Sequence, residues 1–459
     1  MMKNIIFLTF TLWIFSIQSI SATVKLSETH DVKDERLYVS TKVYDFVTVI
    51  YPSAKNFMYT IPIGKKPAGV EASVDNQYVY VSSFENNTLS VIETATNIVA
   101  YTIAVGSGPD TIAVNPLGNY VYVANVNDNT VSIINLSDNQ LATIPVGDTP
   151  QGIAVYPDGS KVYVANYGDD SITIFDSNPN TAVSSKKNVK IPFGMNHGLV
   201  GITINPEGNH IYLVSNDSEK CIILSSETGE LIDSFDLGLA PEHIFIPKDQ
   251  FKIFISNFWS SSFSVIISNN IWSEYTKKND IFGNLGCPGR MTGAIANHGF
   301  FYVTDLLEDT IVVVDGNNEK IVQKIACPRK PLDIDASGTG LSTQHVFGII
   351  VTSFAGQNQI GIKDANIYLT NSAGDVIQRR TDIFGHFVFH NVPEGIYTLK
   401  MKAKNFLSEK TEINILSGKS PEYLITPKTI KGDISGNDTI GLEDAIYILQ
   451  QLNNTDQGL

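Results

Sequence analysis

The sequence predicts a mainly β protein: a seven-bladed β-propeller plus a small β-sandwich, with a short C-terminal calcium-loop helix. Three observations carry this. Seven aromatic residues, Tyr38, Tyr80, Tyr122, Tyr163, Tyr212, Phe254 and Tyr302, recur in strand-like runs such as VYVAN, at steps of 42, 42, 41, 49, 42 and 48 residues. A fixed period in this range marks a repeat architecture. After residue 344 the period stops while strand-like alternation continues, and residues 433–444 form an oxygen-rich loop ahead of an apolar stripe.

The N-terminus comes first. Residues 1–22 carry Lys3, the apolar run IIFLTFTLWIF and the small or polar SIQSISA. That order is the pattern of a secretory signal peptide. The apolar run is shorter than the roughly 20 residues of a membrane-spanning helix. The expectation is a secreted or cell-surface protein with no transmembrane span after cleavage. Net charge is −15, and −16 once Lys3 is removed. A surface this acidic argues against nucleic acid or anionic lipid as the main partner. The three cysteines, Cys221, Cys287 and Cys327, form neither an even set nor a zinc spacing, so they read as small buried or half-buried thiols.

Residues 23–340 make the propeller. The stretch GDTPQGIAVYPDGSKVYVANYGDDSITIFD (147–176) reads as loop, strand, Pro-Asp-Gly turn, strand, polar turn, strand. The turn recurs as PLG at 116–118 and PEG at 206–208. Proline presets the dihedral angle and glycine supplies positive φ. A fourth strand ends each unit, as in YTIAVG (101–106) and LATIPVG (141–147). Four short strands per unit make a propeller blade. Innermost strands begin near Val70, Ile112, Ile153, Ile202, Ile244, Ala294 and Leu332, which makes seven. The last, KPLDIDASG (330–338), is expected to pair with the three N-terminal strands of residues 36–62 and close the ring, removing exposed edges.

VYVAN followed by N-x-T-V-S-x-I and by PVG-x-x-P-x-G-I-A-V resembles the YVTN-type seven-bladed propeller of secreted and surface-layer proteins, over roughly residues 33–340. Repeats two to four carry the match; repeats five to seven diverge, with FISNF and FYVTD in the signature position. The resemblance implies fold and location. Chemistry must be argued from sites, because one fold hosts many functions.

The residues opening the seven innermost strands are Ala68, Asp110, Gln151, Val200, Glu242, Thr292 and Leu332. A metal or acid–base site wants several His, Asp or Glu converging there. Only two carboxylates appear. His197, His243 and His298 lie in or near such loops, and His197 with His243 would be the pair to hold a metal or move a proton; ordinary loop histidines are the commoner reading. Lys65, Lys66, Arg290, Arg329 and Lys330 fall in loops of blades that close next to one another, a local basic patch on an acidic protein. The ligand-binding candidates are therefore Lys66, Asp110, His197, Glu242, His243, Arg290 and Lys330. No catalytic residue is assigned: the chain has no G-x-S-x-G elbow and no phosphate-cradling loop. The two long steps place insertions near 176–190 and 269–286, where ligand contacts are sought first.

Residues 345–428 show a strand-turn cadence of about ten residues, as in small sandwiches. Gly348, Ala365, Thr381-Asp382-x-x-Gly385-x-Phe387 and Pro393-x-Gly395-x-Tyr397 resemble the carboxypeptidase-regulatory-like, transthyretin-like family. The resemblance implies an accessory or spacer module. Asp382 and Gly385 are read as a tight turn, Phe387 and Tyr397 as core, and His386 and His390 as exposed strand residues rather than metal ligands.

Residues 431–453 hold the calcium signal. Calcium takes six to eight hard oxygens, and a twelve-residue loop presents them at positions 1, 3, 5, 7, 9 and 12. Here these are Asp433, Ser435, Asn437, the Thr439 carbonyl, Gly441 through water, and Asp444. Leu442, Ala445, Ile446, Leu449 and Leu452 then make a helical stripe. GDISGNDTIGLEDAIYILQQL is similar to one type I dockerin repeat, which implies Ca2+ binding and a cohesin-like partner through the C-terminal helix. It departs in having Asp438 at position 6 and a single repeat instead of two. With only Asp433 and Asp444 as carboxylate ligands, the expected affinity is weak, of order 10⁻⁴ to 10⁻³ M.

Taken together, the sequence points to an exported non-enzymatic binding or adhesion protein whose propeller presents a cell-surface glycan or protein ligand site. The alternative is an exported enzyme or polysaccharide-degradation component, a propeller lyase or a dockerin-tethered protein.

Overall fold

The computed structural model describes residues 21–33, 36–41, 43–52, 57–191, 198–246, 251–269, 272–277, 291–297, 300–317, 320–327, 330–337, 342–353, 360–390, 392–403, 410–415 and 424–425. Of the sequence expectations, residues 1–20, Cys287, His197, His298, Arg290, Arg329, the calcium loop 433–444 and its helix lie outside these residues. The chain divides into two compact units: residues 30–344, and residues 1–29 with 345–459. Among the described residues, no helix is long and apolar enough to cross a membrane.

The first unit is the propeller. Seven four-stranded antiparallel sheets follow one another, and each innermost strand contacts the next until the ring closes. Blade 1 runs through Pro67–Ala72, Tyr78–Ser83, Thr88–Glu93 and Ile98–Ala104. Blades 2 to 6 open at Pro109, Pro150, Leu199, Pro241 and Met291. Blade 7 takes its innermost strand, Pro331–Ser337, from the far end of the unit and the other three, Arg36–Thr41, Phe46–Tyr51 and Phe57–Pro62, from the near end. The closure expected from LDIDASG is present, in the register Leu37↔Ala336 and Val39↔Ile334.

Burial explains the sequence pattern strand by strand. Second and third strands are covered on both faces by neighbouring blades, so VYVAN and SVI read as nearly continuous apolar runs. Outermost strands see solvent, and Ile98–Ala104 is exposed at most positions. The periodic aromatic sits in the second strand; Tyr38, Tyr122, Tyr163, Tyr212 and Phe254 are all fully buried. In three blades its tyrosine hydroxyl reaches the outer part of the next blade. Tyr38 donates to Asn97 Oδ1 at 2.8 Å and Tyr122 to the Ser177 carbonyl at 3.1 Å, while the Tyr212 and Tyr275 hydroxyls meet at 2.9 Å. In blade 5 the aromatic is Phe254, which has no hydroxyl; it joins Phe245, Phe263 and Phe301 in an aromatic core shared with blade 6, with Phe254 and Phe301 centroids 4.5 Å apart.

The asparagine of VYVAN has a structural role. Asn125, Asn166 and Asn257 are fully buried. Each amide Nδ2 donates to the hydroxyls five and seven residues on: Thr130 and Ser132 (2.9 and 3.0 Å), Ser171 and Thr173 (2.9 and 3.0 Å), Ser262 and Ser264 (3.1 and 3.0 Å). This is why hydroxyl residues recur five and seven positions after that asparagine. The glycine of PVG belongs to it too: a Cβ on Gly106 would lie 2.5 Å from Asn125, and one on Gly147 2.5 Å from Asn166.

The first insertion forms the short helix Pro179–Ser185, capped by Asn178 Oδ1 accepting from the Asn180 N–H at 2.9 Å. Its Ala182 is buried in the core between blades 2 and 3. In the described part of the second insertion Trp272 is 1% exposed and packs on Tyr212 and Phe251. Both insertions therefore contribute to the core.

The second unit has two sheets. One pairs Ser342–Ser353 with Ile360–Gly361 and His386–Phe389, and also includes the strand Ser21–Lys33, which pairs in turn with Leu424–Ile425. The other orders Val376–Arg380, Asn366–Asn371, Gly395–Lys402 and Lys410–Ile415. Phe387 and Phe389 from the first sheet and Ile367, Leu369, Leu399 and Ile413 from the second share one core. Asp382 and Gly385 (φ 84°) form the expected turn, with Asp382 Oδ1 accepting from the Phe384 and His386 N–H groups at 2.9 and 2.8 Å. Phe387 and Tyr397 are core residues as read. The reading of the two histidines as exposed is corrected: His390 is 6% exposed and His386 half-buried, with His386 Nδ1 3.5 Å from Asp382 Oδ2. His386 lies against the carboxylate of the turn that precedes its strand, and His390 follows the buried Val388 and Phe389 that end it.

Candidate functional site

One end of the propeller is built from the loops that lead into the innermost strands and the turns that join second and third strands. Among the described residues, those just before six innermost strands adopt a left-handed conformation: Lys66 (50°), Gly108 (65°), Thr149 (53°), Gly198 (49°), Ala240 (50°) and Lys330 (59°). For non-glycine residues that geometry is costly and must be held by its surroundings. It is held from two sides. The carbonyl accepts from the first N–H after the second strand, as in Phe84 to Lys66 (2.9 Å), Tyr167 to Thr149 (2.9 Å) and Phe258 to Ala240 (2.8 Å). The N–H donates to an Asn or Asp from the preceding blade, as in Thr149 to Asn129 Oδ1 (2.9 Å) and Lys330 to Asp309 Oδ1 (2.7 Å). Side chains on these loops are therefore presented from a fixed backbone.

Lys66 and Lys330 occupy the same position on adjacent blades 1 and 7, both exposed. Lys66 pairs with Glu85 at 2.5 Å, and the ammonium holds the Glu85 carboxyl below the usual carboxylate range. Asp110 opens blade 2 and Glu242 opens blade 5, both half-buried and with two blades between them. The structure does not bring these carboxylates together. Among the described residues, no three His, Cys, Asp or Glu side chains gather as metal ligands.

His243 occupies a distinctive place. The third position of the innermost strand is Gly69, Gly152 and Gly201 in blades 1, 3 and 4. A Cβ there would lie 2.4 Å from the Asp110 carbonyl oxygen for Gly69, and 3.0 Å from those of Val200 and Glu242 for the other two. Blade 5 has His243 at this position and blade 7 has Asp333. The His243 Nδ1 is buried without a hydrogen-bond partner, and burial pushes the imidazole down to about 4. It is neutral at pH 7. The backbone N–H of His243 donates to Ser256 Oγ at 3.2 Å.

Asp333 escaped sequence reasoning, although an Asp where other blades have Gly was the available signal. Its Oδ2 accepts from the Val70 N–H at 3.0 Å and Oδ1 from Ile334 at 2.9 Å; Asp335 repeats this with Ala72 (2.5 Å) and Ala336 (2.7 Å). The pair stitches blade 7 to blade 1. Burial pushes the Asp333 carboxyl up to about 6 despite those N–H donors. A second recurrent joint uses hydroxyls 28 residues ahead of their acceptors: Ser40 to the Ala68 carbonyl (2.6 Å), Ser82 to Asp110 (2.6 Å) and Thr304 to Leu332 (3.1 Å).

These shifts make a pH prediction. The folded-state value of His243 lies below its unfolded value, so the unfolded chain binds more protons between about 6.5 and 4, and stability falls as pH falls through that window. Asp333 acts oppositely: its folded value is raised, so its contribution weakens stability as pH rises from about 3.8 to 6. The two slopes oppose each other in wild type. His243→Gln removes one, so the variant should gain stability relative to wild type as pH drops from 6.5 to 4 in parallel urea titrations. A constant difference across that range would refute the assignment.

The rim of this end is asymmetric. The second residue of the turn between second and third strands is Glu85, Asn127, Gly168 and Asp217 in blades 1 to 4, then Trp259, Leu307 and Val43 in blades 5 to 7. Trp259 is 62% exposed, Val43 56% and Leu307 54%. The Trp259 backbone is held by its main-chain N–H donating to the Leu239 carbonyl at 3.1 Å, and its ring makes an edge-to-face contact with Phe258 at 5.2 Å. One arc of the rim is polar and acidic; the other is apolar with a fixed indole.

Residues 17–152 match the family described as lactonase, 7-bladed β-propeller. No curated protein matches the sequence. Among solved structures, the chain is similar to a protein of unknown function from Desulfotomaculum acetoxidans, with TM-score 0.57, 14% identity, and 66% of this chain and 99% of that one covered. It is also similar to the periplasmic gluconolactonase PpgL of Pseudomonas aeruginosa (0.55, 14%, 66% and 99%) and to hydrazine synthase of Kuenenia stuttgartiensis (0.50, 15%, 60% and 96%). At these identities the likeness is one of fold, and the chain carries a lactonase-like seven-bladed β-propeller.

Proposed function

We propose that the propeller is the platform of an exported binding protein, and that it takes a carbohydrate ligand at the end built from the lead-in loops. The observation that carries this is Trp259: a large indole, 62% exposed, fixed on a rigid turn, beside an arc of carboxylates and amides. An exposed, pinned aromatic gives a sugar ring a flat apolar face to stack on, and the polar arc gives its hydroxyls acceptors. The C-terminal loop 433–444 serves in this reading as a calcium-dependent attachment or stabilising element. A neutral glycan array probed with and without calcium tests it. Trp259→Ala should weaken the retained glycan by about tenfold, in keeping with loss of one aromatic anchor. Unchanged binding in that variant, or no glycan retained by wild type, would remove the reading; equal calcium heats in wild type and Asp433→Ala would remove the tail from it.

A second reading, sugar-lactone hydrolysis, is favoured by His243. An imidazole on an innermost strand, next in sequence to Glu242, with an unpartnered Nδ1 is a group able to accept a proton. The lactonase family match over residues 17–152 supports it. Hydrolysis of glucono-1,5-lactone above the spontaneous rate, abolished in His243→Gln, would favour this second reading over the first.

A further inference from the structure

The face of the second unit's four-stranded sheet that is turned away from its own core is basic. In Asn366–Asn371 the buried residues are Ile367 and Leu369, which leaves Asn366, Tyr368 and Thr370 on the other face. In Gly395–Lys402 the same alternation puts Thr398, Lys400 and Lys402 there. The register aligns them: Tyr368 stands opposite Lys400, Lys400 opposite Lys410, and Asn366 opposite both Lys402 and Arg380. Tyr368, Thr370, Thr398, Lys400, Lys402 and Lys410 line an open groove of about 500 Å³.

Three lysines thus converge around one tyrosine. Directly opposed residues on adjacent strands have Cβ atoms about 5 Å apart, and alternate residues along a strand about 7 Å apart. Arg380 of the same face is paired with Asp364 at 3.8 Å, whereas among the described residues no carboxylate pairs with Lys400, Lys402 or Lys410. Glu412, opposite Thr398, is the acidic residue of the face. In a chain of net charge −15, such a concentration of uncompensated ammonium groups repels itself and calls for an anionic occupant.

We propose that this groove binds a carboxylated polysaccharide, a chain of uronic-acid type. Charge complementarity supplies the attraction, and the half-buried Tyr368 ring between the lysine stems supplies a face for a sugar ring. Charge density decides between polyanions. Duplex DNA carries one charge per roughly 1.7 Å of axis, and the acidic field of the whole molecule opposes so dense a polymer. One carboxylate per sugar fits a few lysines separated by sheet spacings. The assignment is independent of the ligand proposed for the propeller.

The test uses the full chain in EDTA, with polygalacturonate, fully methyl-esterified polygalacturonate, duplex DNA and vesicles of phosphatidylcholine with phosphatidylserine as probes. Wild type should bind polygalacturonate in a salt-dependent way and the esterified polymer at least about tenfold more weakly, because esterification removes the charges that the lysines meet. Lys400→Glu/Lys410→Glu should lose binding by a similar factor. Lys187→Glu/Lys190→Glu, the same change in net charge on an exposed strand of blade 3, should not. Matching near-ultraviolet circular dichroism establishes that each variant is folded, and Lys400→Gln/Lys410→Gln repeats the measurement should the charge reversals fail that check. Equal affinity for the esterified polymer, equal loss in both charge variants, or tighter binding of DNA or vesicles than of polygalacturonate would overturn the proposal.

Discussion

Tyr38→Ala is expected to destabilise the propeller by about 4 kcal/mol, within the range for deleting a fully buried aromatic side chain. Tyr38 is completely buried in the closing blade, and its hydroxyl is one of several bonds from that blade to blade 1. It donates to Asn97 Oδ1, while Asn97 Nδ2 donates to the Tyr51 hydroxyl at 2.7 Å. Arg36 Nη1 donates to the Thr94 carbonyl beside them, with its guanidinium 5.9 Å from the Tyr51 ring centre. Removing the ring leaves a cavity and leaves the buried Asn97 Oδ1 without its donor, so the two costs add. For a unit spanning residues 30–344, at about 2.1 cal/mol/K of unfolding entropy per residue, the midpoint should fall by about 6 °C. Tyr38→Phe, which loses the hydroxyl alone, should cost about 1 to 2 kcal/mol. Scanning calorimetry decides: if the alanine variant melts with the phenylalanine variant, the ring is not holding the seam.

Gly69→Ala should cost about 3 kcal/mol, the upper part of the range for overpacking. The added methyl would lie 2.4 Å from the Asp110 carbonyl oxygen, which belongs to the backbone of the next blade and is fixed by Ser82 Oγ at 2.6 Å. A flexible side chain could turn aside, but this carbonyl cannot. Gly118→Ala is the useful contrast: its φ of 70° is strained for alanine, but nothing lies within 4 Å of the new Cβ, so its cost should be the conformational term of about 1 kcal/mol. Similar chemical denaturation midpoints for the two variants would show that the blade joint yields more easily than its geometry indicates.

The propeller was legible because its physics repeats. Second strands buried on both faces give apolar runs, and turns that need positive φ give Pro-x-Gly, so seven copies of one pattern report the fold seven times. Even the closing strand at 331–337 follows, since a ring must account for its odd strand. The candidate site was less legible because it lies in departures from the repeat. His243 and Asp333 replace glycines, and only knowledge of which face looks across to the next blade gives those replacements meaning. Trp259, Leu307 and Val43 are unremarkable in sequence; they become an arc only when blades 5, 6 and 7 stand side by side. The lysines at 400, 402 and 410 are hidden for a related reason, because cross-strand register rather than spacing along the chain unites them. His390 shows the converse error, in which a polar residue just after a strand was read as exposed while it is 6% exposed.

Blade 7 also sets the order in which the molecule can be made. Its strand Arg36–Thr41 leaves the ribosome almost 300 residues before its partner Pro331–Ser337 does. Until then the edge that will receive Ile334 opposite Val39 is open, and the contact from Asp333 to Val70, 263 residues apart in sequence, cannot form. The loop-closure entropy of so long a connection grows only logarithmically and is modest. The kinetic burden is larger: contacts of high sequence separation form late, and an unpaired strand edge is where chains associate wrongly. Ring closure is therefore a late event in the life of the newly made chain. The side chains that join blade 7 to blade 1, Asp333 and Asp335 among them, convert a linear string of blades into an object with no free end.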